Sequence, residues 1–174
     1  MVFRILQRII GALRIRDDGS ARNETADKLN AAAVGDFPIY CLRGLRKMDW
    51  VDDRSIIDTE AFLPDPKTGR TRTDGALETS INWEDDAQVE AFTLTDNSNA
   101  RYGAARLATE QIRHTSRTTA AVESPLSCER KSIPNKNPYH GNIVYAAHVN
   151  KRLQKQLAAV LATKSKFVPP RTIN

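Results

Sequence analysis

Cysteine is scarce in this chain. Cys41 and Cys128 lie far apart and outside any CxxC spacing, so neither a disulfide framework nor a zinc ribbon is expected, and a reducing, cytoplasmic setting is the simpler one. Aromatic side chains are also few, with two Trp, four Tyr and five Phe in 174 residues, which argues against an extended base-stacking platform. No run reaches the roughly 18 apolar residues of a membrane-spanning helix, and even the apolar opening is cut by Arg4, Arg8 and Arg14. A phosphate loop of the form GxxxxGK[ST], a GxGxxG turn, HExxH, GxSxG and paired CxxC are all missing, which sets aside the standard nucleotide and zinc hydrolases. His114, His140 and His148 are not spaced as a local metal set, and neither a metal nor a cofactor is expected.

What is present suits one globular core. The apolar share is 40% and the charged share 27%, enough burial to offset chain entropy over most of the length. The net charge of +5 is unevenly spread. Residues 1–16 carry four Arg and no acid, residues 17–124 carry 13 bases against 20 acids, and residues 125–174 carry nine bases and only Glu129. Two basic ends therefore flank an acidic middle, and such ends steer towards polyanions or neutralise their own body.

Three segments follow from the pattern. Residues 1–36 hold a basic amphipathic helix with Ile5, Leu6, Ile9, Ile10 and Leu13 on one side, then a linker and a short Ala-rich helix. That first helix is open to three readings: docking on its own domain, contact with a partner or a membrane surface, or a targeting peptide; a secretory signal is disfavoured. Residues 37–149 read as an α+β core with a small mixed or antiparallel sheet. Within it, Ile39–Leu42 is a candidate strand, Pro64–Gly75 a polar loop, and Leu77–Trp83 a strand whose Leu77, Thr79, Ile81 and Trp83 alternate with Glu78, Ser80 and Asn82. A short helix through Phe92, a strand near Tyr102–Leu107, a helical turn from Thr109 carrying Ile112 and a strand at Thr118–Val122 follow. Ile143–Val149 is apolar on both faces, as a strand in mid-sheet would be, and His148 within it reads as a satisfied core histidine. Residues 150–174 form a basic helix capped by Asn150, with Leu153, Leu157, Val160 and Leu161 inward, ended by Pro169 and Pro170.

Four groups of residues carry candidate chemistry. Asn135–Asn142 (NKNPYHGN) brings an imidazole, amides and a glycine together before the apolar strand, so His140 is a candidate acid, base or phosphate ligand; equally, this is a turn in which Asn137 bonds its own backbone. Ser80 between Glu78 and Asn82 is a nucleophile only if a base reaches it, and otherwise part of a solvated strand face. Arg43, Gly44, Arg46, Lys47 and Trp50 form a third group able to hold a phosphate or simply to face solvent. Cys128, beside Glu129, Arg130 and Lys131, has a lowered thiol pKa only if exposed.

The chain resembles a loosely defined set of small bacterial proteins through LRGLRKMDWVDD (Leu42–Asp53), EAFLPDP to LETSINW (Glu60–Trp83) and NPYHGNIVY (Asn137–Tyr145). That resemblance implies a compact domain and no activity. YCLRGL and LETSINW are also similar to blocks of ADP-ribosyltransferases, which implies a dinucleotide-binding role for Arg43 and a place for Ser80 on a following strand. NPYHGNIVY has no Glu where those enzymes place an acid. Two function classes result. The first is a non-enzymatic binding or accessory module engaging nucleic acid or an acidic protein through Lys151, Arg152, Lys155, Arg130 and Lys131. The second is a phosphate-handling or NAD-dependent transferase, which requires Arg43, Ser80 and His140 to line one pocket. A membrane-surface protein held by residues 2–16 is a third possibility.

Overall fold

Among the described residues, six short segments pair into one antiparallel sheet. The computed structural model describes residues 39–67, 72–84, 88–95, 99–119 and 124–171. The strands are β1 (Tyr40–Gly44), β2 (Leu77–Trp83), β3 (Ala104–Ala108), β4 (Leu126–Arg130), β5 (His140–Tyr145) and β6 (Lys166–Val168). They lie in the order β4-β5-β2-β1-β3-β6, every neighbouring pair antiparallel. Helices α1 (Gln88–Thr95), α2 (Thr109–Thr119) and α3 (Lys151–Lys164) complete an α+β fold. No helix among the described residues is long and apolar enough to cross a membrane. The helix expected over residues 2–16, with Ile5, Leu6, Ile9, Ile10 and Leu13, and the Ala-rich helix after it lie outside the described residues.

The period of two in each strand sends alternate side chains to the two faces of the sheet. One face carries Cys41, Thr79, Ile81, Trp83, Leu107, Ile143 and Tyr145, all buried. A 3-10 turn at Thr59–Phe62 lies across it, and the Phe62 carbonyl accepts from Thr79 Oγ1 at 3.1 Å and from Tyr145 Oη at 2.7 Å. Helix α3 packs on that turn through Leu157, Ala158, Leu161 and Ala162, and α2 lies beside α3. The start of α3 is fixed by Asn150, whose Oδ1 accepts from Leu153 N at 3.0 Å. On the other face, α1 packs on β1 and β2, and Leu42, Val89, Leu94, Ala100 and Ala104 are buried together.

Several expectations need correction. Thr118 and Thr119 end α2 instead of opening a strand, because Ile112 and the buried Thr115 and Ser116 recur at helical spacing and Ser116 Oγ ties α2 to Leu126. The strand comes later, at β4. The apolar strand begins at His140 and ends at Tyr145, so His148 lies exposed in the following turn, outside the core. Beyond α3 the chain forms the short edge strand β6 before Pro169.

Candidate functional site

Because α1 packs on β1 and β2, the β5–β4 side of that face is left to side chains and to the 131–140 loop. Cross-strand register places Asn82 opposite His140, Ser80 opposite Asn142 and Glu78 opposite Val144, with Glu129 opposite Asn142 on the other side. Facing residues of an antiparallel pair share a side of the sheet, so Glu78, Ser80, Asn82, Glu129, His140 and Asn142 all point to this face.

Between α1 and the 131–140 loop lies a cleft of about 350 Å³, with Ser80 and Asn82 on its floor, Phe92 and Thr93 on one wall, and Lys136, Asn137 and His140 on the other. Its far end opens where β1 leaves β2. The two strands pair only at Cys41 and Leu42, whereas β1 pairs with β3 over five residues. In the resulting gap Arg43 substitutes for the missing ladder: its Nη1 donates to the Ser80 carbonyl at 2.8 Å and its Nε to the Ala61 carbonyl at 2.9 Å. Gly44, Arg46 and Asn99 complete this end.

The walls are tied together by a chain of amides. Tyr139 N donates to Asn137 Oδ1 at 3.1 Å, Asn137 Nδ2 to Asn82 Oδ1 at 2.8 Å, and Asn82 Nδ2 to Thr93 Oγ1 at 2.8 Å. The relay links the loop, the sheet and α1, and leaves a second N–H on each amide for a ligand. His140 is held in the same way, with Nδ1 2.8 Å from the Lys131 carbonyl while Lys131 N donates to the His140 carbonyl at 3.0 Å.

Positive charge collects at both ends of the cleft. Arg43, Arg46 and Lys47 lie 5.4, 5.5 and 5.5 Å from the centre of the Trp50 ring, a triple cation–π arrangement with Trp50 itself buried. Burial, and then the neighbouring Arg46, lower the Arg43 pKa to about 10. Lys136 stands at the opposite end. Among the described residues no carboxylate lines the cleft.

Beside the cleft, an ionic clasp crosses β5. Arg72 Nη1 donates to Glu78 Oε1 on β2 at 2.6 Å and to Glu129 Oε2 on β4 at 2.9 Å, and Asp74 bonds the same guanidinium. Lys131 Nζ reaches Glu78 Oε1 at 3.5 Å. Both bridges span the strand that carries Asn142, which is 1% exposed and whose carboxamide N and O have no hydrogen-bond partner.

The site residues read from sequence are thus divided. Ser80 and His140 share one face and one cleft, and Arg43 enters it from the other face through the β1–β2 gap, with two of its N–H groups already bonded. Lys151, Arg152 and Lys155 are exposed on α3, in the layer opposite the cleft. Arg130 and Lys131 sit at the start of β5, whereas α3 follows its end, so the two basic groups are separated by the length of that strand, roughly 17 Å at 3.3 Å per residue. Cys128 is half-buried, and its thiol pKa is pushed up to about 12 by desolvation. Lys136, Asn99 and Phe92 went unread as site residues. Lys136 lay within the quoted NKNPYHGN segment, but Asn99 and Phe92 are brought in only by the tertiary fold.

No protein-family model matches this chain, and neither the curated proteins nor the solved structures contain one similar to it.

Proposed function

We propose that the protein is a polyanion-binding module, the polyanion being single-stranded nucleic acid held in the cleft between α1 and the 131–140 loop. One observation carries this reading: the cleft has cations at both ends and no described carboxylate, in a body whose middle segment is acidic. Arg46 follows β1 and Lys136 precedes β5, strands two spacings or roughly 10 Å apart, so the cleft suits a short run of backbone phosphates. The amides of Asn82 and Asn137 add polar contacts between the ends, and Phe92 gives one ring beside them. With so little aromatic surface, binding rests on charge more than on stacking.

The test is fluorescence anisotropy of a labelled single-stranded oligonucleotide with the full chain across a salt series. Expected are a Kd that rises steeply with salt, and a double variant Arg46→Ala/Lys136→Ala that binds at least tenfold more weakly with a salt slope smaller by about 1.4, at roughly 0.7 per lost phosphate contact on a single strand. Binding that ignores salt or these substitutions, or an acidic polypeptide that competes as well as the oligonucleotide, would sink the proposal.

A further inference from the structure

We infer that the cleft also cuts the strand it holds: in bound RNA, His140 removes the proton of a ribose 2′-hydroxyl, whose oxygen attacks the adjoining phosphodiester. This rests on the nucleic-acid reading above and adds a chemical step to it.

The argument begins with the imidazole. A carbonyl oxygen only accepts, so the 2.8 Å contact between His140 Nδ1 and the Lys131 carbonyl puts the ring proton on Nδ1. The neutral ring then has its lone pair on Nε2, the tautomer a general base needs. The His140 residue is tied through its backbone as well. Its own carbonyl accepts from Lys131 N at 3.0 Å, and the loop before it is closed by Ile133 N to the Asn137 carbonyl and Asn137 N to the Ile133 carbonyl, each at 2.9 Å. Positioning by backbone contacts of this kind is what an acid–base group requires before its intrinsic basicity matters.

The surroundings fit a phosphoryl step. Lys136 belongs to the same loop and lines the same cleft as His140, while Arg46 and Arg43 stand at the far end. A phosphodiester passing through the cleft meets cations without a described carboxylate to repel it, and Lys136, in the loop that leads to His140, would stabilise the extra negative charge of a five-coordinate phosphorus there. The step balances without an outside reagent. The 2′-oxygen gives its proton to Nε2 and forms an O–P bond; the bond from phosphorus to the 5′-oxygen breaks; that oxygen takes a proton from water, and His140 returns its own to solvent. One strand leaves with a 2′,3′-cyclic phosphate and the other with a free 5′-hydroxyl.

Ser80 is the competing nucleophile. It is exposed on the cleft floor, two positions along β2 from the residue opposite His140, but its hydroxyl shows no bond to the imidazole, whose Nδ1 is turned to Lys131. The substrate hydroxyl is therefore assigned as the attacking group.

The experiment incubates the full chain with a single-stranded RNA and with its all-deoxy counterpart, reading binding by anisotropy and products by end-group analysis. The expected result is that both strands bind, that only RNA is cut, and that the cut ends are cyclic phosphate and 5′-hydroxyl. His140→Gln should slow cutting by at least about 100-fold with its thermal midpoint retained; if that variant fails to fold, the deoxy control and the product ends decide on the native protein alone. Cutting of the deoxy strand, phosphate retained on the protein and lost in Ser80→Ala, or unchanged cutting by folded His140→Gln would each overturn the inference. Tight binding of both strands with no RNA cleavage overturns it and leaves the binding module standing, whereas absence of binding removes both.

Discussion

Gly141 shows how one residue sets the shape of the sheet beside the cleft. The indole of Trp83 lies over it and donates from Nε1 to the Glu129 carbonyl at 3.4 Å, so that the ring bridges β2 and β4 across β5. A Cβ on Gly141 would collide with Trp83 Nε1 and come within 2.6 Å of the Glu129 oxygen. Because Trp83 is 1% exposed, the ring has no empty space into which to withdraw. Gly141→Ala is expected to cost about 1–3 kcal/mol of stability, measured by urea unfolding, together with a change in Trp fluorescence of the folded state. A variant as stable as the native chain would mean that the indole is not held as described. The neighbouring His140 and Asn142 point the other way, so this substitution tests the support of the cleft without touching its lining.

At the scale of elements, the three-strand unit β4–β5–β2 is fastened on its cleft face by the Arg72 clasp. Glu78 has a side chain only 5% exposed, and Arg72 is 16% exposed, so the pair is shielded from the screening that makes surface ion pairs weak. Removing the cation leaves a buried carboxylate with Lys131 Nζ 3.5 Å away. Arg72→Ala is therefore expected to destabilise by about 3 kcal/mol in denaturant titration, and a loss below about 0.5 kcal/mol would show that Lys131 takes over fully. The sequence pattern made β2 legible down to which residue faces which way, since strict alternation survives wherever one face is buried and the other polar. The same logic missed the clasp: Glu78 reads as solvated, and only tertiary pairing with a residue from the polar loop and with β4 buries it. Strand β4 was illegible because Leu126–Arg130 has a single strongly buried apolar residue, its edge position asking for little more. Thr118 and Thr119 attracted a strand assignment by β-branched propensity, which the packing of Ile112 and Ser116 overrides. Ser80 follows from the alternation along β2 and His140 from the NKNPYHGN segment, but that they share a cleft depends on β2 and β5 being neighbours, a pairing that local pattern does not encode.

On the scale of the whole molecule, two sets of cations have different physical roles. Arg46 and Lys136 line a concave site, where charge is concentrated by low-dielectric walls and acts on a ligand already in contact. Lys151, Arg152 and Lys155 stand exposed on α3, in the opposite layer, so they act on an approaching polyanion through the field around the molecule and make no cleft contact. Charges of the second kind change the rate of encounter and its salt dependence, while charges in the site change the rate of escape. Replacing Lys151, Arg152 and Lys155 with Gln is thus expected to lower the association rate for a single-stranded oligonucleotide severalfold at low salt, with the difference vanishing near 0.5 M salt, where the Debye length falls to roughly 4 Å, and to leave the dissociation rate within about twofold. Arg46→Ala/Lys136→Ala is expected to do the reverse, raising dissociation. Stopped-flow measurement of both variants separates the two roles. If the α3 variant instead accelerates dissociation as strongly as the cleft variant, the ligand wraps from one layer to the other, and the polyanion is held by the protein's surface as a whole in place of the cleft.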